Sequence, residues 1–297
     1  MSLEFAWFLF SGTQFNGTSQ LVGVGHGDRY QVLRSTDLMS SGLFGNISSV
    51  EIVVTDEADG NVILFQNPFL NVPFSPFPDF NGTFLQLSAA EAPPGGSGQD
   101  FQNFGWSTES VLLIAGRRKG KNETRVSFSS IFLEQWKTII DGLLKGSRAS
   151  RQGDPTLTWE MFPLNVSYTN PNGTYLKIFQ PLHINMPWPF SDYAASLTYH
   201  IGLFPDGSGH LRCWGQAYHW WVESGIKSGH IGDSLGPQVA SGLGTLVTQV
   251  NNKLSSFDGL LGKVSDVYYL PGHQPSPIGT GRFIDNTAND VTIVIEH

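Results

Sequence analysis

The residues of this chain best suited to chemistry gather in its second half. Gly232-Asp233-Ser234-Leu235-Gly236 fits G-x-S-x-G, the spacing of a strand-to-helix elbow that exposes a serine nucleophile. Asp266 and His273 follow it, giving the order Ser, Asp, His, so a serine-hydrolase triad of Ser234, Asp266 and His273 is one expectation. The competing reading is that Asp233 or Ser234 caps the helix that follows. Five of the eight histidines fall between 183 and 230, and His219 with Glu223 has the i,i+4 spacing that would set two ligands on one helical face. Zinc needs a third protein ligand, and this spacing does not supply it.

Aromatic residues crowd the same segment. Trp214, Tyr218, Trp220 and Trp221 could wall a ligand site, with His219, Glu223, His230 and Asp233 as its polar contacts. Sugar rings stack on such walls while hydrogen bonds orient them. The alternative is a core or domain-interface cluster with no ligand.

Composition bounds the elements that must position these groups. The 297 residues suffice for one large or two modest domains. Only 14% of them are charged, against about 25% in an ordinary domain. With 34 Gly, 17 Pro and 21 Phe, turns and strands should dominate, which excludes a helical bundle. The net charge of −8 disfavours a phosphate-backbone binder, so no nucleic-acid partner is expected. A single Cys213 leaves the redox compartment unread. No dinucleotide loop, P-loop or EF-hand loop is present, so no cofactor is implied. The opening MSLEFAWFLFSG lacks a basic leader and is too short to span a membrane, and it reads as a strand. Six N-x-[ST] sequons, at Asn16, Asn46, Asn81, Asn122, Asn165 and Asn172, would mark surface loops in a secreted chain and otherwise read as turn chemistry.

Residues 129–144 set Ile131, Trp136, Ile139, Ile140 and Leu143 on one face, predicting a helix that Gly146 stops. Strands are predicted from 156 onward, at 174–179, at 195–200, and at 211–214 after the turn at 204–209. Leu235, Val239, Leu243, Leu246, Val250, Leu254, Phe257 and Leu261 then predict a long amphipathic helix over 233–261. Residues 291–295 close as a strand.

The first 118 residues carry an internal echo. Phe15-Asn16-Gly17-Thr18 returns as Phe80-Asn81-Gly82-Thr83, and Ser49-Val50 returns as Ser110-Val111, each pair opening an aliphatic strand. Phe10, five residues before Phe15 and seven before Gly17, supplies a ring to cover a hairpin whose bend needs glycine. This pattern resembles the aromatic-x4-aromatic-x-Gly signature of the βγ-crystallin Greek-key domain. The resemblance covers about residues 1–118 and implies a double Greek-key sandwich, joined at 119–297 to an α+β domain with an antiparallel sheet and the long helix. The basic run Arg117-Arg118-Lys119-Gly120-Lys121 then reads as a hairpin or linker. Many members of that family bind calcium. Asn46 and Ser48 are the residues left for it here, because Phe44 and Gly45 stand where the acidic or amide pair should be.

The functional expectation is a noncatalytic protein that recognises a carbohydrate or cell-surface ligand. The resemblance adds a toxin-like setting, since crystallin-like modules accompany pore-forming domains in some multidomain proteins. The alternatives are a structural or assembly protein and the Ser234 hydrolase.

Overall fold

The computed structural model describes residues 3–53, 58–65, 83–88, 98–100, 108–127, 129–161, 174–225, 227–271, 284–285 and 291–297. Over these the chain is mainly β, in small antiparallel sheets with three helices. It divides into two units, residues 1–123 with 273–288, and residues 124–272 with 289–297.

Unit 1 contains β1 (Leu3–Phe10), β2 (Ser19–Gly25), β3 (Tyr30–Leu33), the short α1 (Ser35–Ser41), β4 (Ser49–Val53), β5 (Ala58–Phe65), β6 (Thr83–Ser88), β7 (Gly98–Asp100) and β8 (Ser110–Arg118). One sheet runs β2-β1-β4-β7 and the other contains β6-β5-β8-β3. With β1–β4 as one quartet and β5–β8 as the other, each sheet holds the first, second and fourth strands of one quartet and the third strand of the other. One buried cluster draws alternate residues from both, among them Phe5, Trp7 and Leu9 of β1 and Val111, Leu113 and Ala115 of β8. Gly60 in β5 is required there, since a Cβ would overlap the Phe5 ring.

The echoed residues are hairpin devices. Phe10 and Phe15 meet edge-on with centroids 5.8 Å apart, and Gly17 takes φ 85° in the β1–β2 turn. The buried Ser49 hydroxyl accepts from the Phe15 N–H at 3.1 Å and donates to the Gly12 carbonyl at 2.7 Å, tying that turn to the start of β4. Residues 80–82 of the second copy lie outside the described residues, while Thr83 and Ser110 begin β6 and β8. Arg118 pairs with Glu4 at 2.5 Å, and Gly120, at φ 77°, turns the basic run toward β9 (Glu123–Ser127).

Unit 2 is built on α2 (Ser129–Leu144), β10 (Ala149–Arg151), β11 (Thr156–Met161), β12 (Thr174–Ile184), β13 (Tyr193–Pro205), β14 (Leu211–Val222) and α3 (Ser228–Ser255). Its larger sheet runs β10-β12-β13-β14, with β11 also on β12. A second sheet joins β15 (Asp266–Pro271), β17 (Val291–Glu296) and β9. Between β15 and β17 the chain visits unit 1, where β16 (Ile284–Asp285) pairs with β6. Both long helices cover one face of the larger sheet. Trp136 of α2 meets Tyr199 of β13 edge-on at 4.7 Å, and the Tyr199 hydroxyl donates to the Val239 carbonyl of α3. Gly242 of α3 leaves room for both neighbours, since a Cβ there would fall 2.5 Å from the Leu143 side chain and 2.8 Å from the Tyr199 hydroxyl.

The pattern over 233–261 misjudges both ends of α3. The helix begins at Ser228 and stops at Ser255, and the residues after it turn through Gly259 and Gly262 in left-handed backbone. Periodicity continues past the helix because Leu261 is half-buried in that turn.

Candidate functional site

The crowded segment from Trp214 to Ser234 runs along β14, round a short turn and into α3. His219 lies in a strand and Glu223 just beyond its end, so they share no helical face. Four residues along a strand span about 13 Å, too far for two ligands of one zinc ion. The Glu223 carboxylate instead accepts the Ala194 N–H at 3.2 Å. Among the described residues no group of three His, Cys, Asp or Glu could hold a metal ion.

Strand alternation also divides the aromatic wall. Trp220 stands opposite Leu197 on the face that carries Tyr199, and a Cβ on Gly236 of α3 would lie 3.9 Å from its indole nitrogen. Trp214 pairs with Gly202 and Trp221 with Ser196, which belong to the opposite face. These two tryptophans are seven residues apart and share a face because the ladder is bulged between the pairs His200–Ala217 and Ile201–Gly215, leaving Gln216 as the extra residue. Trp214 lies across Gly202, where a Cβ would overlap its indole, and edge-on to Phe204 at 5.9 Å. Trp214, Trp220 and Trp221 are all half-buried. The side chains of Tyr218 and His219 lie outside the described residues.

Ser234 is inside α3, in its second turn, with no strand leading into it. Its hydroxyl donates to the Ile231 carbonyl at 2.9 Å, one turn back. The strained elbow that makes G-x-S-x-G a nucleophile motif is absent, and neither Asp233 nor Ser234 caps a helix that starts at Ser228. Asp266 opens β15 and accepts the Val267 N–H, while His273 lies outside the described residues. Of the two calcium candidates, Ser48 donates to the Ser11 carbonyl at 3.0 Å and Asn46 is exposed.

What the structure does assemble is a groove at the start of α3. It has a volume of about 560 Å³ and is lined by Lys227, His230, Ser234 and Gln238 from α3 and its entry, by Arg148 before β10, and by Ile184 and Met186 from the end of β12. Arg148 and Lys227 give it two cations, and its described lining contains no carboxylate. Beside it lies the β12–β13 loop. Trp188 at its tip is 93% exposed and Phe190 38%. Asp192 fixes the loop base by accepting the Met186 N–H at 2.8 Å and lying 3.1 Å from His183 Nε2. The Phe190 N–H donates to the Pro187 carbonyl at 3.0 Å, and Lys227 Nζ lies 5.5 Å from the centre of the Phe190 ring.

Sequence reasoning passed over Trp188. Its signal was Pro187-Trp188-Pro189-Phe190, two aromatics punctuated by prolines between two strands, a stretch that reads as loop and not as sheet.

At the other end of the unit a charged clamp closes the β13–β14 hairpin. Arg212 holds Asp258 through two hydrogen bonds, of 2.8 and 2.7 Å. The Arg212 bonds keep the Asp258 carboxyl below its ordinary range, and the His210 backbone N–H does the same for Asp206. Burial pushes the Cys213 thiol up to about 12, which leaves it inert as a nucleophile. No family model matches the chain, and no curated protein or solved structure matches it either.

Proposed function

We propose that this chain is a noncatalytic recognition protein that binds an acidic glycan at the loop carrying Trp188 and the adjoining groove. The observation that carries the reading is Trp188 itself. An indole 93% exposed on a loop fixed at its base forgoes burial that a large aromatic ring ordinarily obtains. A sugar face stacked on it would recover that burial, with Phe190 as a second platform. Arg148 and Lys227 supply bidentate and point-charge contacts for carboxylate or sulfate groups. On a chain of net charge −8, a groove lined by two cations and no described carboxylate favours an anionic ligand.

Tryptophan emission titrated with oligogalacturonate and, in parallel, with neutral maltohexaose tests this reading. A saturable response to the acidic sugar is expected, weakened at least tenfold in Trp188→Ala and severalfold in Lys227→Gln. A response absent for oligogalacturonate, or unchanged in Trp188→Ala, would sink it.

For unit 1 we propose a βγ-crystallin-like double Greek key. A Greek key sets its strands in the order 4-1-2-3. Both quartets keep the 4-1-2 run, as β4-β1-β2 and β8-β5-β6, and exchange their third strands. Backbone NOEs between Val32 and Leu112 are the expected result, and NOEs placing β3 against β2 or β4 would overturn the assignment.

A further inference from the structure

A second cavity of unit 2 lies at the C-terminal end of α3. Its volume is about 360 Å³, and it opens where Val250 and Leu254 of α3 face Leu203 and Leu211 of the β13–β14 hairpin and Ile293 and Ile295 of β17. Protein interiors seldom leave voids larger than a water molecule, and a space this size falls in the range of small-molecule sites. Its walls offer a water almost no partners, so it stays dry and gains by taking up an apolar guest. Phe257, in the turn after α3, lines it and is 37% exposed, so that side meets solvent.

Among the described lining residues the polar ones are Thr124, Gln135 and Lys253, and Thr124 is already engaged with His297 at 2.7 Å. Among the described lining residues Lys253 carries the one charge, and it is exposed. Aliphatic walls with a single ammonium group at the rim complement one class of molecule: an unbranched hydrocarbon chain ending in an anion.

We infer that this cavity binds an aliphatic carboxylate, its chain among Leu203, Leu211, Val250 and Leu254 and its carboxylate on Lys253. The site is separate from the Trp188 groove, so the inference stands or falls independently of the glycan reading. Each added methylene should tighten binding about fourfold until the chain outgrows the cavity. The carboxylate, paired near solvent, should add a few fold.

Isothermal titration of the full chain with hexanoate, octanoate, decanoate and dodecanoate, kept below their micelle concentrations, tests it, with 1-decanol as the neutral probe. The expected result is one site per chain, affinity rising along the series and then levelling. Lys253→Gln should weaken decanoate severalfold and leave 1-decanol unchanged. Leu211→Trp and Val250→Phe should each fill the space and abolish binding, with far-UV circular dichroism reporting whether each has folded. No saturable heat from decanoate or dodecanoate overturns the inference, as does decanoate binding that survives in a folded filling variant. Equal decanoate affinity in Lys253→Gln overturns the role given to the ammonium group.

Discussion

The two ends of α3 differ sharply although one apolar stripe runs the length of the helix. Ile231 and Leu235 at its start and Val250 near its end are buried residues of the same kind. At the start they share the lining of their cavity with Gly146, Ser147, Arg148 and Lys227, so the space left there is a cationic groove. Toward the end they are met by Leu203, Leu211, Ile293 and Ile295, so the space is apolar. The helix determines that a cavity can exist at either end; the segments opposite determine its chemistry. A hydrophobic pattern read along α3 alone therefore cannot distinguish a polar cavity from an apolar one.

A change at Trp136 should reach both ends of α3. Trp136 is fully buried, edge-on to Tyr199, with its indole N–H donating to Gln180 Oε1 at 3.2 Å. Trp136→Ala should cost about 3–5 kcal/mol in urea denaturation, the range for deleting a buried indole. Oligogalacturonate and decanoate binding should weaken together, because the Trp136 ring packs on Tyr199, whose hydroxyl holds the Val239 carbonyl of α3. Trp188→Ala is the counterpart, expected to move stability by less than about 0.5 kcal/mol while removing only the sugar response. A Trp136→Ala chain that lost one ligand and kept the other at full affinity would show that the ends of α3 are held separately.

Much of this scaffold was legible before any fold was known. The spacing of Trp136, Ile139, Ile140 and Leu143 located α2 over 129–144, and the observed helix has those bounds. Aliphatic alternation located the strands at 174–179, 195–200 and 211–214, each the start or the middle of a longer observed strand. The site was less legible, for a physical reason. Trp214, Trp220 and Trp221 are neighbours in the chain, but in a strand neighbours point to opposite faces, and one bulge reverses which of them agree. G-x-S-x-G is a motif only in its strand-turn-helix setting, and here the helix begins six residues before Ser234. Arg148 and the β12–β13 loop are about forty residues apart in the chain, and the Asn185 N–H reaches the Arg148 carbonyl only through the β10–β12 pairing that no local pattern encodes.

A smaller effect confined to the second half of α3 would sharpen the contrast. Asn251 accepts the Cys213 N–H at 2.7 Å and returns its own N–H to the Cys213 carbonyl at 2.8 Å, covering the free edge of β14. Asn251→Ala leaves both backbone groups unpaired and should cost about 1–3 kcal/mol. Decanoate binding should weaken while the sugar response holds. Cys213 reports the same event, since its buried thiol should resist a maleimide reagent in the native protein and label faster in the variant.

The smallest expected effect tests whether the clamp at that end is electrostatic. Asp206 and Asp258 both have carboxyls held below their ordinary 3.8, by the His210 backbone N–H and the Arg212 guanidinium respectively. A carboxyl lowered in the native state is bound to fewer protons than in the unfolded chain. The stability it lends is therefore complete above about pH 4 and lost as pH falls through the lowered native value. Asp258→Asn removes one such group and the partner that fixes Arg212. At pH 7 the variant should unfold at a lower urea concentration than the parent, and the gap should close as pH falls below 4. High salt should narrow it further, since the cluster is only half-buried and solvent ions still screen the attraction. A gap that keeps its size from pH 7 to below pH 3 would mean that Asp258 holds the hairpin by packing, and the C-terminal end of α3 would then owe its order to the apolar contacts alone.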